Sequence, residues 1–366
     1  MHWPALVIGT LLILVILWDA FETVVLPRSI VRELRLTWLY YRATWLSFSA
    51  VARITPVAFV RERLLGVYGP LSLIGLGVLW ALGLCLGFAL LFWADGSPLS
   101  PHGARPTFGH DVYMSGTTLV TLGLGDVLPQ SRLARALVVV EAGTGLGFLA
   151  MVITYLPVPY QSFSRREVRL SLLDPWAGSP PSGTEVLRRL GTAGELSSLD
   201  EFLKDWEYWC SDILESHISY PAVAYFRSQH QRQSWVSALT AILDLSALVI
   251  AGIDGVPAHR ARLAFAMARH AAVDLSQVLS ARRVRHEDRL PPDELERVRH
   301  DLEEAGLRPS RSPEADGRLT ELRKAYEPYV ARLSRHLVMP LPPWRHPSET
   351  KDNWQTSPRR DALDHF

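Results

Sequence analysis

Three apolar runs of membrane length constrain this chain more than any other feature. Residues 5–17 are apolar apart from Gly9 and Thr10, and the apolar character continues to Leu26. Residues 71–93 carry no charge, and residues 133–156 contain Glu141 as their only acid. A helix crosses the hydrocarbon core with about 20 apolar residues. Lipid offers no partner for backbone N–H or C=O groups, so a spanning segment must satisfy its own. The expected fold class is therefore an all-α membrane protein with three transmembrane helices. A re-entrant helix and loop are expected between the second and third, and an α-helical domain after them. The opening Met-His-Trp-Pro lacks a basic leader and no small-residue cleavage site follows, so the first helix is expected to be retained.

Between the last two runs lies Thr117-Thr118-Leu119-Val120-Thr121-Leu122-Gly123-Leu124-Gly125-Asp126, with Pro129 three residues on. Glycine enters the left-handed region without a Cβ clash, and Gly123 and Gly125 stand at alternate positions. That spacing lets successive carbonyls face one side, and Thr121 can add its hydroxyl. Oxygen donors of this kind suit hard cations. A nucleotide-binding P-loop would need Gly-Lys-Ser/Thr, which is absent here. Residues 138–147 hold a G-x-G-x-G run rather than G-x-G-x-x-G, and the apolar stretch continues through it, so a bilayer helix is expected there.

Thr121-Leu122-Gly123-Leu124-Gly125 followed by Asp126 resembles the selectivity-filter signature of potassium channels. The resemblance covers residues 68–160 and implies a two-helix pore domain with an extra N-terminal helix. It implies a filter at Thr121, Leu122, Gly123, Leu124, Gly125 and Asp126, with potassium held at Thr121, Leu122, Gly123 and Leu124. A short pore helix over residues 111–120 would support that filter through Tyr113, Thr117 and Thr118. Its carbonyl end would direct negative partial charge at the ion. Gly143 best matches the family's inner-helix hinge, with Gly145 and Gly147 as alternates, and Pro157 and Pro159 are expected to end that helix. One filter per chain implies a homotetramer in a lipid bilayer, with potassium ions in the pore and no other cofactor. Leu124 departs from the family's usual tyrosine, whose hydroxyl ties the filter to the pore helix. Leucine here accompanies relaxed selectivity in some members.

Glu141 has two readings. Facing a water-filled cavity, four copies would concentrate cations. Facing protein, it would be a hydrogen-bonded strut behind the pore helix, to Thr117 or Thr118, and this reading is favoured. Asp19 and Glu22 are expected at the membrane interface, paired with Arg28 or Arg32.

The rest of the chain is read from charge and punctuation. Residues 27–64 carry Arg28, Arg32, Arg35, Arg42, Arg53, Arg61 and Arg63 against Glu33 and Glu62. The positive-inside rule makes this linker cytoplasmic, places the N-terminus outside and puts the C-terminal half in the cytoplasm of a cell with the protein in its inner (plasma) membrane. Trp38, Tyr40, Tyr41 and Trp45 suit a helix in the headgroup layer, with a further span over residues 34–52 as the alternative. The organisation expected is an N-terminal helix (1–26), a linker (27–64), a pore domain (65–160), a helical cytoplasmic domain (161–340) and a disordered tail (341–366). Residues 178–194, rich in Pro, Gly and Ser, read as a linker. The apolar stretch 238–253 is short and interrupted by Asp244, so it reads as a buried helix of a soluble bundle.

A net charge of +1 gives no support for a nucleic-acid partner. Cys85 and Cys210 are unlikely partners for each other, and the histidines show no tight metal spacing. No nucleophile–base arrangement stands out, so the chain is not expected to be an enzyme. The function expected is passive potassium conduction, gated at the inner helix and regulated through the C-terminal domain by an unidentified ligand or partner. The alternatives are a weakly selective cation channel and a channel-like sensor or scaffold that does not conduct.

Overall fold

The computed structural model describes residues 2–26, 35–97, 99–101, 106–230, 232–279, 287–347 and 351–355. Arg28, Arg32 and Glu33 lie outside them. The described chain is an all-α membrane protein whose elements form two compact units, Met1–Tyr160 and Gln161–Phe366. Among the described residues four helical stretches are long and apolar enough to cross a bilayer: Trp3–Val24, Ala58–Ala94, Arg132–Ala177 and Trp235–Gly252.

The first unit is built around one long helix. Helix α1 (Trp3–Val24) and helix α2 (Leu36–Ile54) both pack on α3 (Ala58–Ala94). The run that reads as starting at residue 71 begins at Ala58, because Pro70 sits inside α3 without ending it. At 37 residues α3 is about 55 Å long, well beyond the ~30 Å hydrocarbon core. Glycine permits the closest approach of α1: a Cβ on Gly9 would lie 2.8 Å from the Gly87 carbonyl. Helix α2 meets the earlier half of α3 through Tyr40, whose hydroxyl donates to the Ser72 carbonyl at 3.1 Å, and through Trp45 against Tyr68.

The acids of α1 have partners other than those expected. Asp19 accepts from the Thr37 hydroxyl at 2.6 Å and from Trp80 Nε1 at 2.9 Å. Glu22 pairs with Arg35 at 3.4 Å. Both are buried, so they fasten α1 to the start of α2 and to α3.

A short antiparallel hairpin of β1 (Leu99–Pro101) and β2 (Val127–Pro129) brackets helix α4 (Phe108–Leu119) and the loop after it. Helix α5 (Arg132–Tyr155) follows, N-capped by Ser131, whose Oγ also donates to Asp95 at 2.7 Å. Helix α5 ends at Tyr155, just before Pro157 and Pro159, as expected. They occupy the first turn of α6 (Pro157–Ala177), where a missing N–H leaves no hydrogen bond unmade.

The second unit comprises the rest of α6 with α7 (Gly183–Ala193), α8 (Leu199–Ser219), α9 (Trp235–Gly252), α10 (His259–Val278), α11 (Pro292–Glu304) and α12 (Pro313–Leu337). Most of the stretch 178–194 is helix rather than linker: α7 starts at Gly183, Ser182 caps it, and Gly183 lets it close on α9, since a Cβ there would lie 2.6 Å from the Ala241 carbonyl oxygen. Helix α9 is membrane-like in composition, yet 89% of its apolar window is buried inside the protein. Where the chain beyond Pro340 reads as a loosely ordered tail, the described residues pack. Trp344 is buried between Arg289 and Arg323, and Asp352 accepts from the Ser179 amide at 2.9 Å and from Arg189 at 2.7 Å. Residues 348–350 and 356–366 lie outside the described part.

Asp244, inside α9, is held by a fork from Arg289 at 2.7 and 3.2 Å and by the Tyr326 hydroxyl. Removing one member of a buried pair strands the other in low dielectric. Arg289→Met is expected to cost about 3–5 kcal/mol in equilibrium unfolding followed by tryptophan fluorescence. A cost under about 1 kcal/mol would place the pair among exposed ones. His217 on α8 is fully buried beside Arg166, with Nε2 3.2 Å from a guanidinium nitrogen and Nδ1 3.0 Å from Ser216 Oγ. Burial, then the neighbouring guanidinium, holds its imidazole well below the usual histidine range. The unfolded chain takes up this proton below about pH 6.5 and the folded chain does not. Stability should therefore fall as the medium is acidified below that point, and His217→Gln should flatten the slope in pH-dependent melts.

Candidate functional site

The loop after α4 owes its shape to the way that helix ends. Val120 is the last half-helical residue, and the chain then turns left-handed at Thr121, φ 58°. The Thr121 amide donates to the Thr118 carbonyl at 2.9 Å, and the Leu122 amide to the Thr117 carbonyl at 2.7 Å. This is the bonding pattern of a Schellman cap, in which the left-handed position is usually glycine. A β-branched residue there is uncommon. Left-handed residues then recur at Gly123, φ 55°, and Gly125, φ 79°, so alternate positions 121, 123 and 125 share one sense.

This backbone arrangement dictates where oxygens go. In a trans peptide the N–H of one residue and the C=O of the residue before it point in opposite directions. The amides of Thr121 and Leu122 donate to the end of α4, and that of Gly123 makes a longer bond of 3.4 Å to the Thr117 carbonyl. The carbonyls of Val120, Thr121 and Leu122 therefore point away from α4, toward the open side of the loop. All residues from Val120 to Asp126 are exposed in the single chain, including Val120 at 67%, Leu122 at 57% and Leu124 at 62%. A row of outward carbonyls therefore lies beside exposed leucines. Such neutral oxygens can hold a hard cation by replacing its water. Among the described residues no group of three or more His, Cys, Asp or Glu is placed to hold a metal.

Three contacts hold the loop against its support. Tyr113 on α4 donates its hydroxyl to Asp126 at 2.8 Å, tying the helix to the residue that follows the glycines. Thr117 and Thr118 contribute their carbonyls to the cap, and the Thr117 hydroxyl donates back to Met114 at 3.0 Å. Leu124 has no hydroxyl with which to make a further tie.

Behind α4 lies α5. Glu141 is fully buried and bonded to Ser115, rather than to Thr117 or Thr118. One turn later, Gly145 lies against the end of α4: a Cβ there would sit 2.0 Å from the Leu119 carbonyl oxygen. The helix is continuous through Gly143, Gly145 and Gly147, and Gly143 and Gly147 have open space where a Cβ would go. Gly145 is thus a close-approach glycine. Ser115 and Cys85 are the residues that reading the sequence misses, since neither belongs to a motif. The one signal for Ser115 is positional: it precedes Thr118 by three and Leu119 by four residues, on the buried face of α4.

Residues 79–158 match a family model described as an ion channel. The chain is 24% identical over 185 residues, 50% of its own length, to an uncharacterized membrane protein, YdjJ, of Bacillus subtilis strain 168. The alignment spans 53% of that relative, so the chain covers about half the length of the protein it matches. No solved structure matches.

Proposed function

We propose that this chain, a multi-pass membrane protein whose residues 79–158 match an ion-channel family model, forms a homotetrameric, potassium-preferring pore. The observation that carries the reading is the alternation of left-handed residues at 121, 123 and 125, with the amides of Thr121, Leu122 and Gly123 turned back onto α4. Four such loops around one axis would present rings of carbonyls from Thr121, Leu122, Gly123 and Leu124 to a dehydrated cation. The α4 carbonyl end adds negative partial charge behind them. The protein acts by passive conduction rather than by catalysis. By its arginine distribution the N-terminus lies outside an inner (plasma) membrane and the second unit in the cytoplasm, where a ligand that favours one state would shift the population of open pores.

The decisive measurement is ion flux from liposomes carrying the purified full-length protein, with potassium and sodium compared. The expected result is a reversal potential near that of potassium. Equal permeabilities would instead support the weakly selective reading, which Leu124 favours because it lacks the hydroxyl tie. Absence of flux for either ion would leave the sensor or scaffold reading.

A further inference from the structure

Glu141 occupies a point where three helices meet and hydrogen is in short supply. Its Oε1 contacts Ser115 Oγ on α4, and its Oε2 is buried with no partner among the described residues. No cation pairs with it there either. Ser115 Oγ also lies 2.8 Å from the Cys85 carbonyl on α3. A serine hydroxyl carries one hydrogen and can accept others. Were Glu141 ionised, that single hydrogen would face two acceptors, and a buried charged oxygen would remain unpartnered. Such burial is unfavourable without a compensating cation or donor.

We propose that Glu141 is a neutral carboxylic acid and a positioning residue: it donates to Ser115 Oγ, and Ser115 in turn donates to the Cys85 carbonyl. This two-hydrogen relay runs from α5 through α4 to α3 and uses every available hydrogen. It anchors α4 one turn before the cap that begins the carbonyl row. The assignment of the hydrogen stands on this geometry alone, whereas its consequence for ion flux rests on the channel reading above.

The test uses the full-length protein in liposomes. In the infrared difference spectrum of wild type minus Glu141→Gln at neutral pH, the carbonyl stretch of a protonated carboxyl is expected, shifting in deuterated water. Ser115→Ala should move that band in frequency without removing it. Absence of the band, or its replacement by carboxylate bands, overturns the proposal. Glutamine keeps a donor at the same reach, so flux through Glu141→Gln should stay within about twofold of wild type, while Glu141→Ala should fall about tenfold or more. Equal loss in both variants also overturns it. If wild type itself fails to conduct, the channel reading falls, and the infrared band still decides the relay.

Discussion

Replacing Gly145 with alanine is expected to reduce potassium flux from proteoliposomes to background while leaving the protein in the membrane. The new methyl would lie 2.0 Å from the Leu119 carbonyl oxygen, a backbone atom that cannot swing aside. Overpacking of this kind costs about 1–3 kcal/mol per site, and the proposed tetramer contains the contact four times. Either α5 withdraws or the last turn of α4 moves. Leu119 is followed by the Val120 and Thr121 cap, so movement there carries into the carbonyl row. Alanine at Gly143 is the matched control, since nothing lies within 4 Å of its Cβ position in the single chain. Wild-type flux through Gly145→Ala would show that α5 does not bear on α4 in the conducting state.

The second large effect is expected at Gly123, for a different reason. There is room for a side chain at this position in one copy, but its φ is 55°. A residue with a Cβ pays about 1–2 kcal/mol to stay left-handed. Repeated in four subunits, the strain disfavours the ordered row by roughly 4–8 kcal/mol, enough to abolish flux. Gly123→Ala should still assemble, because the strain acts on the loop and not on the helices. Size-exclusion chromatography together with the flux assay separates the two outcomes. A variant that assembles and conducts normally would mean that position 123 is not left-handed in the working pore.

The membrane-spanning helices were legible because a bilayer imposes a length and excludes charge. The left-handed turns of the loop at Gly123 and Gly125 were legible because glycine is the residue that enters that region without a Cβ clash. Helix α9 could be recognised as internal from its length and from Asp244, although its partner Arg289 stands 45 residues away and could not be named. What remained hidden depends on helix rotation and on contacts distant in sequence. Nothing in the spacing says that Glu141 meets Ser115 instead of Thr117 or Thr118, since a rotation of α4 by a fraction of a turn decides it. A glycine that permits bending and one that permits contact look the same within an apolar run, so Gly145 could not be told from Gly143. Helix α7 was obscured because Pro, Gly and Ser flank it and read as breakers, whereas Ser182 and Gly183 serve as its cap and its point of close packing. The packed residues after Pro340 are held by partners such as Ser179 and Arg189, more than 160 positions earlier.

In the proposed pore Thr121 would have two tasks at once: it closes the last turn of α4, and it would supply a rung of the oxygen ladder. No spacer separates brace from ladder. One residue inserted or deleted between Thr117 and Asp126 would shift each rung by a peptide and move Gly123 and Gly125 off the positions that are left-handed. Side chains along this stretch have some latitude to vary, but its length does not.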